Sequence, residues 1–177
     1  MSIKLLTTYY SNGQKKAEGN WDGFDPVGDH ISWHENGSVE SESIGFDGPV
    51  LTTTFWYENG QIESIKSYST QPNFVEIGLW AEWYENGNKK SEGSYKGDDG
   101  RIGKWQFWHS NGQLACSGVH KGWGGDGLWI FWDEAGNKIH DREYRKSELL
   151  GVWKNLRADG CSDELIDQYK QYVFNSD

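Results

Sequence analysis

The chain has 177 residues, with 17 Lys or Arg against 27 Asp or Glu and a formal net charge of −10, a sign that disfavours phosphate backbones and anionic lipid and would steer in a basic protein. Simple solubility is the bland reading of the same charge. Leu, Ile, Val and Phe supply only 34 residues, a share that with this charge ordinarily marks disorder, yet 11 Trp, 9 Tyr and 7 Phe can each bury roughly 150–250 Å² and build a core if the rings stack.

At the amino terminus, Met1 to Thr8 offers neither the apolar stretch nor the small-residue cleavage site of a secretory signal. No run approaches a membrane span. Cys116 and Cys161 are widely spaced, so neither a disulfide framework nor a zinc site is expected. The expected location is cytoplasmic, with no metal and no cofactor.

From there a unit recurs six times. An aromatic pair runs into a turn whose glycine is Gly13, Gly37, Gly60, Gly87, Gly112 and Gly136, and a period near 24 residues indicates an array of small stacked units. Four residues before the glycine stand Tyr9, Trp33, Trp56, Trp83, Trp108 and Trp132; three before it stand Tyr10, His34, Tyr57, Tyr84, His109 and Asp133. Asn precedes the glycine in five copies and Ala135 in the sixth. Asn-Gly between extended segments predicts a hairpin, since both residues tolerate positive φ. Trp80, Trp105 and Trp129 each follow two residues after Gly78, Gly103 and Gly127. These glycines are expected where a strand starts so close to its neighbour that a side chain would interfere.

The outgoing strand is two-faced. Its even positions run from small residues (Ala17, Ser41, Ser64, Ser91, Cys116) through Gly19, Gly93 and Gly118 to rings at Trp21, Tyr68, Tyr95, His120 and Tyr144. That face predicts rings of the next hairpin lying over small residues. The odd positions, Gln14, Lys16 and Glu18, then Ser38, Glu40 and Glu42, then Asn88, Lys90 and Glu92, predict a polar, mostly acidic ladder on the opposite face. Trp80 and Trp83 differ in parity, so a thin sheet with aromatics on both sides is expected. The second and third units are degenerate: Gly45 stands in the ring position, Thr53 stands where Trp80 stands in the fourth, and residues 69–74 form an insertion.

The register gives structural readings to the apparent catalytic residues. His34 and His109 occupy a Tyr slot, and His120 a Trp or Tyr slot; Cys116 fills an Ala or Ser slot as a buried small thiol. Asp98 with Asp99, and Asp133 with Glu134, read as solvated turn acids, since no spaced calcium loop or hydrolytic pair accompanies them. No enzymatic constellation is visible. Beyond residue 144 the period stops. Ser162, Asp163 and Glu164 can start a helix whose stripe is Leu165, Ile166, Tyr169, Tyr172 and Val173, so 145–177 is expected to be a helical cap on the 1–144 array or a docking element.

The run of Gly-x-Trp, Trp-Tyr-Glu-Asn-Gly and Glu-Gly-x-Tyr, most complete from Gly78 through Trp132, resembles the MORN-repeat variant found in bacterial antitoxins of the YwqK type. The resemblance covers roughly residues 5–144. It implies a mainly β fold, an elongated single-layer antiparallel sheet of about six hairpins, and a role as an antitoxin or immunity protein. Under that reading a basic surface of a toxin meets Glu35, Glu40, Glu42, Glu58, Glu85, Glu92, Asp98 and Asp99, with exposed rings as hot spots. A carbohydrate or cell-wall module of choline-binding type is the alternative, because paired aromatics can cage quaternary ammonium. A scaffold organising several proteins is the third.

Overall fold

The computed structural model describes residues 2–122 and 124–144. They form twelve strands: β1 (Lys4–Tyr9), β2 (Lys15–Asp22), β3 (Asp25–Trp33), β4 (Val39–Ile44), β5 (Val50–Trp56), β6 (Ile62–Ser69), β7 (Val75–Trp83), β8 (Lys89–Lys96), β9 (Arg101–Trp108), β10 (Leu114–Lys121), β11 (Gly125–Trp132) and β12 (Lys138–Tyr144). A 3-10 turn, Gly97–Asp99, lies between β8 and β9. No α-helix lies among the described residues; the helical cap expected over 145–177 lies outside them. The chain divides into two compact units, Met1–Lys89 and Lys90–Asp177. Within each, strands consecutive in sequence are neighbours in an open antiparallel sheet.

The six Gly turns share one geometry, which corrects the reason given for Asn-Gly. In the first, Tyr10 N–H donates to the Gln14 carbonyl at 2.8 Å and Gly13 N–H to the Tyr10 carbonyl at 3.0 Å, which is a type I turn closed by a left-handed residue. Only the glycine of each turn is left-handed, at φ 82–90° across the six copies, and no described residue other than glycine has positive φ. Asn is selected for its side chain instead. Its Oδ1 accepts the backbone N–H two residues on, from Gln14, Ser38, Gln61, Asn88 and Gln113 at 2.8–3.0 Å, a local bond that Asn supplies well.

The expected face of rings over small residues is present. At Gly93 an added Cβ would lie 2.1 Å from the Trp105 indole, at Gly118 2.0 Å from that of Trp129, and at Gly19 2.2 Å from the His30 ring. Each ring nitrogen meets the carbonyl just after its glycine: Trp105 Nε1 donates to Ser94 O at 3.3 Å, Trp129 Nε1 donates to Val119 O at 3.1 Å, and His30 Nε2 lies 2.9 Å from Asn20 O. Trp105 and Trp129 are 1% and 0% exposed, so each contributes roughly 4–6 kcal/mol of gross transfer as an upper bound. Eight past four of the turn glycines, Gly13, Gly60, Gly87 and Gly112, a ring packs edge-on against its neighbour. The pairs are Trp21 with His30, Tyr68 with Trp80, Tyr95 with Trp105 and His120 with Trp129, at 5.0–6.0 Å and 69–90°.

The glycines at 78, 103 and 127 have a different role from the one expected. They lie inside strands at φ 68–70°, and an added Cβ meets nothing within 4 Å at Gly103 or Gly127 and only Ser67 Cβ, at 4.0 Å, at Gly78. Backbone conformation, not crowding, selects them. Gly28 does the same at φ 69°, and at all four the strand register slips against the preceding strand, the signature of a bulge. The second unit is therefore less degenerate than its sequence suggests, because His30 fills the Trp80 slot. Phe46 packs on His30 at 4.7 Å and supplies the ring that Gly45 lacks. In the third unit Thr53 does replace the ring, bonding Ser43 through their hydroxyls at 2.9 Å.

Candidate binding surface

The aromatic-pair slots build a ladder along the turn edge. Tyr10 Oη donates to Trp33 O at 2.7 Å and Tyr57 Oη to Trp83 O at 2.8 Å; His34 Nε2 lies 2.7 Å from Trp56 O and His109 Nε2 2.9 Å from Trp132 O. His substitutes for Tyr here because its far nitrogen reaches the same carbonyl. Beside these bonds, the amides of Asn12, Asn36, Asn59 and Asn111 donate to the carbonyls of Glu35, Glu58, Glu85 and Glu134 at 2.7–3.4 Å. Every Glu in that row has its backbone held by the preceding repeat while its side chain points to water. The sixth turn has neither donor, since Asp133 and Ala135 replace them, and Asp133 instead caps its own turn through Ala135 N–H at 3.0 Å and Asn137 N–H at 2.8 Å.

In the first unit Glu35, Glu58 and Glu85 are exposed at successive turns. Their field is felt nearby: the Tyr10 hydroxyl titrates above its usual value, first through loss of water and then through Glu40, Glu35 and Glu58. Tyr57 is raised likewise by burial, then by Glu63, Glu85 and Glu82. Glu63 is exposed beside this edge, three past its turn glycine, whereas Glu82 lies 3.7 Å from the Lys66 ammonium.

The acidic ladder expected on one face is broken, and the cause is local. In every hairpin whose register can be followed, the strand leaving the turn carries an extra residue three past the glycine: Lys16, Glu40, Glu63, Ala115 and Ile139. The bulge turns Glu40 toward Ser32, whose Oγ donates to it at 3.0 Å and lies 2.7 Å from Ser41 Oγ. Glu42, paired across from Ile31, faces the other side and is exposed. In the second unit, Glu92 is half-buried opposite Gln106, and exposed Asp98 and Asp99 lie in the loop after β8, Asp99 3.1 Å from Lys96. In the first unit, then, Glu35, Glu58 and Glu85 line the turn edge while Glu40 and Glu42 face opposite sides; in the second, Glu92 lies in β8 and Asp98 and Asp99 in the loop after it.

On the exposed side of the first unit, Trp33 carries a cation. Lys15 Nζ lies 5.5 Å from the centre of its ring and 2.6 Å from Glu18, and Glu18 also accepts from Thr7 Oγ1 at 3.0 Å. Trp83 likewise has Lys89 Nζ at 6.0 Å. Trp56, in the same slot, borders a depression of about 440 Å³ with Ile31, Val39, Glu42 and Gly60. On the opposite face the rings are consumed internally: Trp80 lies under Lys66 at 4.8 Å, and Trp105 under Arg101 at 4.5 Å. Trp108 is half-buried at its repeat position. Cys116 is buried, and burial pushes its thiol well above the usual range.

Residues 5–22, 50–69, 76–96 and 101–121 match the MORN repeat variant model. The chain carries MORN repeats. Each matched segment is one strand, its Gly turn and the outgoing strand; the third hairpin is matched and the second, with His30 and Ser32 at its ring positions, is not. No curated protein matches the chain. Among solved structures, a crystal structure of a Bacteroides fragilis NCTC 9343 protein of unknown function aligns at 11% identity over 81% of this chain and 92% of that one, with a TM-score of 0.18. Among the described residues no helix is long and apolar enough to cross a membrane. With MORN repeats presenting locked turns and exposed acids, the chain is a repeat protein involved in binding.

Proposed function

We propose that this MORN-repeat protein is an antitoxin or immunity protein that neutralises a basic toxin by stoichiometric binding. The observation that carries the reading is the row Glu35, Glu58 and Glu85, whose carbonyls are held by Asn12, Asn36 and Asn59, with the Trp two residues before each held by a Tyr or His bond, while their side chains stay exposed. A pre-ordered acidic edge loses little entropy on binding and steers a basic partner at long range. Inhibition follows from occlusion of the toxin's working surface, with no chemistry performed by this chain.

The test is co-expression with the product of the adjacent gene. Growth rescue together with a stable one-to-one complex supports the reading; no rescue and no complex ends it. The choline-module alternative is less favoured by the aromatic arrangement, since Trp105 and Trp129 are spent on intramolecular packing and on bonds to Ser94 O and Val119 O.

A further inference from the structure

The first and second hairpins carry the same three-residue device with one member exchanged. In the first, Lys15, two past the turn glycine, places its ammonium between the Trp33 ring at 5.5 Å and the Glu18 carboxylate at 2.6 Å. Two, five and nineteen or twenty residues past their own turn glycines, the positions correspond: Lys15 to Val39, Glu18 to Glu42, and Trp33 to Trp56. The second copy therefore keeps the indole and the carboxylate but has valine where the lysine stood. The result is the depression lined by Ile31, Val39, Glu42, Trp56 and Gly60. Glu42 is exposed, in contrast to Glu18 with its lysine and threonine partners.

The geometry points to this depression as the docking site for a lysine or arginine side chain of a partner protein, whose cation takes the place that Lys15 occupies one repeat earlier. Charge complementarity fixes the sign, since a carboxylate and the negative face of an indole converge on the space. Ile31 and Val39 would cover the aliphatic stem of such a side chain, which favours burying a long methylene chain behind its charged head. The proposal rests on the protein-binding reading above and names the chemistry that one part of the surface recognises.

The probe is an acetylated tetralysine amide titrated into the ¹⁵N-labelled full chain, following the Trp56 indole N–H, assigned by its loss in Trp56→Leu. The expected result is a saturable shift at the Trp56 indole and at the Glu42 backbone N–H, with affinity read at the backbone signal lowered about three- to five-fold by Trp56→Leu, the scale of an exposed cation–π contact, and lowered also by Glu42→Gln. Val39→Lys restores the intramolecular cation and is expected to block the peptide to a similar degree. If Trp56→Leu does not fold, Glu42→Gln and Val39→Lys decide the matter. Unchanged affinity in these two variants overturns the site, as does choline chloride shifting the same indole at lower concentration than the peptide. Peptide binding at Trp56 without toxin neutralisation would leave the site standing and end the antitoxin reading; toxin binding untouched by Val39→Lys would do the reverse.

Discussion

Gly118→Ala should be among the most damaging small substitutions in this chain. The new Cβ would sit 2.0 Å from Trp129 Cδ2 and 2.2 Å from Cε2, so a ring that is 0% exposed must retreat by more than about 1 Å. Overpacking of that kind costs about 1–3 kcal/mol. Displacing the indole also breaks its 3.1 Å bond to Val119 O, leaving buried groups unsatisfied for about 1–3 kcal/mol more, and disturbs the edge-on contact with His120 at 5.0 Å. A total loss of about 2–6 kcal/mol follows. Gly127→Ala is the matched control: φ is 70° but the space is empty, so the cost is about 1–2 kcal/mol of backbone strain. Urea denaturation of the full chain, followed by near-ultraviolet circular dichroism, measures both. If Gly118→Ala proves no worse than Gly127→Ala, the ring-over-glycine junction is not what holds neighbouring strands together.

His109→Phe keeps the ring and loses the bond to Trp132 O, with an expected cost of about 1 kcal/mol in the same assay; His109→Tyr, adopting the Tyr10 and Tyr57 solution, should recover it. Cys116, with its thiol raised well above the usual value by burial, should resist a thiol reagent at pH 8 in the native state and react fully in urea. Asp133 accepts bonds from the Asn137 side chain and backbone and from Ala135, which hold it below the usual aspartate value of 3.8. Its contribution is therefore complete above pH 3.8 and lost as pH falls through the lower folded value; a carboxyl carbon titration with its midpoint at or above 3.8 would contradict that.

Much of the fold was legible in the sequence because repetition averages out local noise. Six registered turn glycines located the hairpins, and the series Ala17, Gly19, Trp21 and its homologues marked the packed face. Two things were hidden. A bulge inserts one residue and leaves the polar pattern unchanged, so Glu40 and Glu42 read as neighbours on one face although the bulge at Glu40 separates them. The other is exchange of chemistry at conserved geometry: His30 does the work of Trp105 and Trp129, and His34 that of Tyr57, because what each slot needs is a ring nitrogen or hydroxyl within reach of one carbonyl. The candidate site was legible only as charge. That Lys15 and Glu18 form a filled template over Trp33, and that Val39 leaves its successor open, depends on strand neighbours that a linear reading does not supply.

The most direct test of the central claim is a calorimetric titration of the full chain with the product of the adjacent gene, at two salt concentrations, repeated with Glu35, Glu58 and Glu85 all changed to Lys. The account predicts a one-to-one complex that weakens as salt rises and is lost in the triple variant. A complex of unchanged affinity and unchanged salt dependence in that variant would contradict it.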